Sequence, residues 1–181
     1  MHNLGYAEEL RGMAANPYKV LRRRIEPLAS DYDFILIDTP PRIDILTLNA
    51  LAAADAYVIP FLSGDIYALD GMDDMSAAID RFIRDADVNP SLELLGAVLQ
   101  QHAANQNASK ITLELVADRY PIFGTVPNNT NVKQAAMLNQ TVMQYDRRSA
   151  AAAAYADMAI RLLEKYGMER SATKRGRKRG E

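Results

Sequence analysis

The stretch that decides the fold is Tyr32-Asp33-Phe34-Ile35-Leu36-Ile37-Asp38-Thr39-Pro40-Pro41. Its centre, Phe34 to Asp38, is a continuous apolar run that ends on a carboxylate, which is typical of a strand buried on both faces. Pro40 and Pro41 have no backbone N–H to give to a ladder, so they stop the strand and turn the chain away. The carboxyl ends of buried parallel strands are where α/β proteins bind ligands, so Asp38 is a candidate site residue.

The rest of the chain alternates between helical patterns and short apolar runs. Continuous apolar strands that alternate with amphipathic helices predict an α/β domain, with a parallel sheet flanked by helices on both faces. Strands are predicted at 33–38, 56–62, 94–100 and 122–126. Helices are predicted from Asn16-Pro17, at 43–54, at 67–86, from Asn107 or Ser109 to 116–120, and from an Asp146 cap to a Gly167 stop.

The composition fits one cytoplasmic domain of 181 residues, 49% hydrophobic. The absence of cysteine excludes disulfides, thiol catalysis and thiolate metal sites. No window reaches the roughly 18 apolar residues of a membrane span, and the first residues have neither the basic nor the apolar region of a signal peptide. We therefore expect a lead at 1–15, a domain at 16–167 and a tail at 168–181.

The charge is unevenly distributed. The tail holds six basic and two acidic residues, so it carries +4; since the whole chain carries −2, residues 1–167 carry −6. A basic tail on an acidic body is suited to nucleic acid or an anionic membrane, and a solvated, disordered terminus is an equal alternative.

Other polar features have plainer interpretations. Asp38 on position alone is as well explained by a cap on the following Thr-Pro-Pro turn as by a ligand site. His102 is isolated and is predicted to end the third strand. An acidic cluster, Asp70 with Asp73 and Asp74, favours a helix dipole and needs no metal. The basic run Arg22 to Arg24 is better explained as a solvated helix face than as a DNA contact.

Several motifs occur in one order along the chain and resemble the ParA family of partitioning ATPases, which belongs with MinD-like proteins to the deviant Walker A class. Each motif alone is weak, but together they are specific and cover roughly residues 15–167. Bacterial tyrosine kinases of the same superfamily share the Asp-x-Pro-Pro pattern, but no terminal tyrosine cluster occurs here. The motifs are Phe34 to Pro41, Leu46 to Leu51, Ala54 to Ala56, Val58 to Pro60, Tyr67 to Gly71, Val126-Pro127 with Val132 and Ala135, and Tyr145-Asp146 with Ser149, Ala154 and Tyr155.

The resemblance implies a P-loop NTPase-like fold that uses ATP and Mg²⁺. It implies that Asp38 is the Walker B-like carboxylate and acts on Mg²⁺ through water. It places Thr39, Pro40 and Pro41 in the second switch, which senses the γ-phosphate. Pro127 and Asn129 would lie in the loop that closes over the adenine.

The resemblance also implies partners. Two ATP-bound subunits, or this chain and a full-length homologue, would associate and bind DNA non-specifically, and a ParB-like centromere-binding protein would stimulate hydrolysis. Such a protein works in the cytoplasm, on the nucleoid. Possible DNA contacts are Lys133, Lys174, Arg175, Arg177, Lys178 and Arg179.

The sequence departs from the family at two places. The family's Lys-Gly-Gly-x-Gly-Lys-Thr loop, its preceding strand, its following helix and its first switch do not occur in this sequence, so the fold is expected to be incomplete at its N-terminus and ATP binding to be impaired. Apolar strands left with unpaired edges are expected to make the chain marginally stable or self-associating. Asn128 and Asn131 stand where the family usually has basic residues, which weakens DNA contacts there.

Three functions follow as alternatives. The leading one is a ParA-type partitioning protein whose full-length form is an ATPase. The second is a non-catalytic regulatory module, or a decoy, of a full-length ParA-type partner. The third is a DNA-binding protein that works through the basic tail.

Overall fold

The computed structural model describes residues 17–40, 42–65, 68–84 and 87–168. The predicted lead 1–15, Pro41 and the tail cations Lys174 to Arg179 lie outside the described residues. In chain order the elements are α1 (Val20–Ile25, between 3-10 turns at Pro17–Lys19 and Glu26–Asp31), α2 (Ile45–Ala53), β1 (Ala56–Leu62), α3 (Ala68–Ile79, continued by a π-helical turn at Asp80–Arg84), β2 (Glu93–His102), α4 (Asn107–Ala117), β3 (Ile122–Pro127), α5 (Thr130–Met137), α6 (Val142–Tyr145) and α7 (Ala150–Lys165).

The described strands form one parallel sheet in the order β1-β2-β3. Helices α3 and α4 connect successive strands, because parallel neighbours need a crossover between them. The predicted α/β architecture is thereby confirmed. No helix among the described residues is both long and apolar enough to cross a membrane.

Two apolar clusters cover the two faces of the sheet. Neighbouring residues of β2 point to opposite faces, so Ala97 and Leu99 join one cluster and Val98 joins the other. The first cluster brings in α3 and α4 through Leu69, Met72 and Val116, together with Phe61 of β1. The second brings in α6 and α7 through Val142, Ala151, Ala152 and Met158, together with Val126 of β3.

Glycines in β2 and β3 allow the closest approaches in this part of the sheet. Gly96 has a φ of +138°, and a Cβ there would overlap the backbone carbonyl of Pro121. A Cβ on Gly124 would overlap the side chain of Met158 on α7. Since Met158 is buried, the missing side chain of Gly124 lets α7 lie directly on β3.

β1 is covered less completely than its neighbours. Backbone groups at Asp55 and Ser63 bond to β2, through Glu93 N–H to Asp55 O at 3.1 Å and Ser63 N–H to Gln100 O at 2.9 Å. Because backbone direction alternates along a strand, Pro60 is turned to the outer edge, where its missing N–H costs no bond to β2. Val58 and Leu62 are 41% and 46% exposed, so one face of β1 is open.

The predicted strand at 33–38 is wrong. Residues 34–40 form neither strand nor helix, and residues 32–39 make no backbone hydrogen bond to any described residue. Leu36 is 86% exposed, and Phe34 makes an edge contact with Tyr166, with ring centroids 6.0 Å apart. An apolar run becomes a strand only beside a pairing partner, and the described sheet ends at β1. The segment Tyr32–Pro40 therefore has no strand partner in the part of the chain that the structure describes.

Two predicted helix caps are also wrong. The cap of α7 is Ser149, whose Oγ accepts from Ala152 N–H at 3.2 Å, whereas Asp146 lies one turn earlier and accepts from Arg148 N–H. The cap position of α4 is Gln106, and Ser109 Oγ accepts instead from Ala103 N–H. Gly167 ends α7 as predicted, with a φ of +68°.

Candidate functional site

Asp38, Thr39 and Pro40 lie together at the wall of an open cavity of about 360 Å³. Asp38 and Thr39 are exposed, and Asp38 has no hydrogen-bond or ion-pair partner among the described residues. The carboxylate is therefore available to a ligand. The rest of the cavity is mainly aliphatic and is formed by Val20, Leu21, Arg24, Ile37, Leu46, Asn49 and Ala50.

A buried amide connects two helices that line the cavity, α1 and α2. Asn49 is only 3% exposed, and its Oδ1 accepts from Val20 N–H and Leu21 N–H at 3.1 and 3.2 Å. Its Nδ2 donates to Pro17 O at 2.7 Å and to Ile45 O at 2.9 Å. One side chain of α2 thus satisfies the first backbone groups of α1, which have no partner within that helix.

The chain that follows the two prolines is fixed by a helix cap. Asp44 Oδ1 accepts from Leu46 N–H and Thr47 N–H at 2.9 and 3.1 Å, and Arg42 Nε lies 2.7 Å from Asp44 Oδ2. Thr47 Oγ1 donates to Arg42 O. Burial raises the pKa of Asp44, but the hydrogen bonds from Thr47 and Leu46 and the Arg42 guanidinium outweigh it, so this pKa lies below its usual value. Sequence reasoning missed this cap, although Asp before an apolar helix is its usual signal.

A second polar group lies at the carboxyl ends of β1 and β2. Ser63 Oγ and His102 Nδ1 are 3.0 Å apart, and both side chains are partly buried. Gln100 Oε1 accepts from the Tyr155 hydroxyl at 3.3 Å. The position of His102 at the end of its strand is confirmed, but its contact with Ser63 was not predicted, because 39 positions separate them. Only the pairing of parallel strands brings them together.

The predicted adenine-side residues lie at the end of β3. Pro127 is the last residue of β3, and Asn129 caps α5 by accepting from Asn131 N–H at 2.8 Å. No hydrogen bond or ion pair among the described residues joins them to Asp38. The candidate residues thus lie on two parts of the chain that no hydrogen bond or ion pair among the described residues connects.

Two asparagines at the start of α5 and in the loop before it form hydrogen bonds within the domain, Asn131 through its side chain and Asn128 through its backbone. Asn131 Nδ2 donates to Asp146 Oδ2 at 2.7 Å, and Asn128 N–H donates to His102 O at 3.0 Å. Lys133, the predicted DNA contact on α5, is exposed.

Part of the acidic cluster on α3 has protein partners. Asp73 receives the Tyr120 hydroxyl and an Arg119 N–H, both at 2.6 Å. Burial, together with the Asp73 carboxylate, raises the pKa of Tyr120 to about 12. Within the described ranges, no group of three or more His, Asp or Glu side chains is arranged to hold a metal ion.

Comparisons with known proteins agree with this architecture. The sequence matches the family described as "AAA domain" over residues 2–94. The chromosome partitioning protein ParA of Myxococcus xanthus is 33% identical over 148 residues, which are 80% of this chain and 51% of that protein. The sporulation initiation inhibitor protein Soj of Bacillus subtilis is 33% identical over 142 residues, which are 77% and 55% of the two chains.

A solved structure shows the same fold. The cobyrinic acid a,c-diamide synthase of Mycobacterium smegmatis with bound ADP and magnesium superposes with a TM-score of 0.70 at 28% identity, over 91% of this chain and 60% of that chain. The chain therefore spans between half and two thirds of the length of these three proteins.

Proposed function

Because this chain belongs to the AAA-domain family of ParA-type partitioning ATPases, we propose that it acts in DNA segregation. The observation that carries the proposal is the family match over residues 2–94, which includes the Asp38 segment, together with ParA and Soj relatives at 33% identity. The proposed place of action is the cytoplasm, on the nucleoid.

Asp38 is proposed to act on Mg²⁺ through water. Mg²⁺ keeps several waters and commonly takes one or two carboxylates together with phosphate oxygens, so a single exposed carboxylate with no protein partner in the described structure suits it. Thr39, Pro40 and Pro41 are proposed to form the switch beside it. The capped turn at Asp44 supports this role, because it gives the switch a fixed downstream end.

Pro127 and Asn129 are proposed to contact the adenine. The cap that Asn129 makes on α5 fixes the backbone of this loop, which suits a base-binding role. The M. smegmatis relative with bound ADP and magnesium supports ATP and Mg²⁺ as the ligands.

A glycine-rich phosphate loop is absent from this sequence, so we propose that the chain alone binds ATP weakly. The test is titration of the chain with a fluorescent ATP analogue, with and without Mg²⁺, and again with Asp38→Asn. Weak binding that weakens further in the variant is expected. Tight Mg²⁺-dependent binding, equal in both proteins, would contradict the assignment of Asp38.

The unpaired segment Tyr32–Pro40 and the open face of β1 favour a second candidate, a non-catalytic regulator or decoy of a full-length ParA-type protein. The test is co-purification of the chain with the M. xanthus ParA relative, in ATP and without nucleotide. Complex formation in either condition would support this role. Failure to associate in both would remove it.

The proposed partners are a second copy or homologue, a ParB-like centromere-binding protein, and non-specific DNA. Lys133 and the tail cations Lys174, Arg175, Arg177, Lys178 and Arg179 are proposed DNA contacts. If the tail dominates, replacing these five of its six basic residues by glutamine should abolish DNA binding and flatten the salt dependence of that binding. Unchanged binding would exclude the tail-based version.

A further inference from the structure

A basic stripe of three residues runs along the outer side of α1. Lys19, Arg22 and Arg23 are spaced by three and four positions, so they fall on one side of a helical turn. Arg22 and Arg23 are exposed, and Lys19 is half-buried. The next turn adds Glu26 to the same side, which leaves a net charge of +2 over four side chains.

The opposite side of α1 is fixed to the domain. The Asn49 side chain holds the backbone of Val20 and Leu21, and Leu21 and Arg24 line the cavity that also contains Asp38. With that side turned inward, the basic stripe has one orientation. A charged ligand on it would meet an ordered surface.

The charges of the stripe are not neutralised within the described structure. The ion pairs found there join Arg42 to Asp44, Arg84 to Asp80, Arg119 to Asp73 and Lys165 to Glu93, and none includes a residue of the stripe. Residues 1–167 together carry −6. Three adjacent cations without partners in an acidic domain form a local positive surface suited to a polyanion.

The region around the loop between β3 and α5 also presents cations, but they lie on different elements. Lys133 lies on α5, and Arg147 and Arg148 lie between α6 and α7; all three are exposed. The stripe instead places its three cations at helical spacing on one short segment.

We propose that Lys19, Arg22 and Arg23 bind the phosphate backbone of DNA. The proposal rests on the proposed function and names the surface through which this chain would meet DNA. Two of the three cations are arginines, whose guanidinium groups can donate two parallel N–H hydrogen bonds to two oxygens of one phosphate. Contacts of this kind carry no base preference, so binding through the stripe is insensitive to sequence.

The experiment measures the affinity of the full chain for a 30-base-pair DNA duplex across a range of salt concentrations. Each lost phosphate contact lowers the slope of log K against log salt by about one. We therefore expect Arg23→Gln to lower the slope by about one and Arg22→Gln/Arg23→Gln to lower it by about two. Glu26→Gln removes the opposing charge and is expected to tighten binding at low salt.

Lys110→Gln is the matched control, because Lys110 is an exposed cation on α4, away from α1. Lys110→Gln should change the slope of log K against log salt by less than about 0.5. An unchanged slope in the Arg22→Gln/Arg23→Gln variant, with wild-type binding intact, would overturn the stripe and leave the DNA function standing. Absence of any DNA binding by the wild-type chain at low salt would overturn both.

Vesicles of phosphatidylglycerol form a separate arm. If the double variant loses vesicle binding and keeps DNA binding unchanged, the stripe is a membrane surface and the proposal is wrong. If the wild type and the three variants unfold at the same temperature, a reduced slope reflects lost DNA contacts and not a loss of folding.

Discussion

The two ends of the sheet differ in how far they are completed. We call β2, β3 and α7 the closed half, and β1 with the segment Tyr32–Pro40 the open half. In the closed half, β3 pairs with β2, and Met158 of α7 lies against Gly124 of β3. In the open half, the apolar run Phe34 to Asp38 has no pairing partner among the described residues, and Leu36 is 86% exposed. Hydrophobic sequence thus forms a strand where a described neighbour pairs with it, as in β1, β2 and β3, and stays outside the sheet at 34–38, where none does.

The largest expected effect breaks the closed half. Gly96→Ala should lower the free energy of unfolding by about 3 kcal/mol or more, since it adds left-handed backbone strain to an overlap with the Pro121 carbonyl. Urea unfolding followed by circular dichroism measures it. Gly71→Ala is the control, because a Cβ there meets nothing within 4 Å, and it should be neutral or slightly stabilising. Equal effects of the two substitutions would contradict the packing described for β2.

The next effect concerns the contact between α1 and α2, the helices that precede and follow the segment Tyr32–Pro40 of the open half. Asn49→Ala should cost about 2 kcal/mol or more, because it leaves the Val20 and Leu21 N–H groups without their acceptor. The same unfolding measurement applies. Asn105→Ala, at an exposed position, should change stability by less than about 0.5 kcal/mol. If Asn49→Ala costs less than about 0.5 kcal/mol, the stability of α1 does not depend on its hydrogen bonds with the Asn49 side chain.

The open half should govern association rather than stability. We expect the wild-type chain to self-associate with increasing concentration, and Leu36→Lys to shift it toward monomer, because a charge opposes apolar contact between chains. Sedimentation velocity at several concentrations measures this. Leu115→Lys, at an exposed position on α4, should leave association unchanged. A monomeric wild-type chain with a sharp, concentration-independent thermal transition would contradict the expectation.

The smallest effect is confined to alkaline pH. The pKa of Tyr120 is raised to about 12 from a model-compound value of 10.0, so its neutral form is favoured in the folded state. Its contribution to stability is complete below pH 10 and declines as the pH rises toward 12. Tyr120→Phe should remove this decline, measured as unfolding free energy against pH. An identical alkaline decline in both proteins would assign it to another group.

The alternation of helices and strands was sufficient to predict the closed half. The apolar runs at 94–100 and 122–126 lie in β2 and β3, and the order of helices between them predicted the parallel sheet. The same evidence failed at Phe34 to Asp38, because the pattern reports that a run is suited to burial and says nothing about whether a partner is present. The expectation that apolar strands are left with unpaired edges stays a prediction.

The candidate site was predictable in its composition and less so in its contacts. Asp38 is nominated by its place after an apolar run and Asn129 by the resemblance, and their roles stay predictions. The Ser63–His102 contact depends on strands that pair across 39 positions, and the Asn49 anchor depends on a helix 28 positions away. Such contacts follow from tertiary neighbours, which periodicity within one element does not report.

Pro60 has a consequence for anything that joins the open edge of β1. Its side of the strand offers carbonyl groups at every second residue, but one donor is missing near the middle. A strand that pairs with this edge lacks one hydrogen-bond donor at Pro60. It leaves no carbonyl group unpaired if it places no acceptor opposite Pro60. Pro60 therefore influences the register of a neighbouring strand, because registers that place a carbonyl group opposite Pro60 are disfavoured.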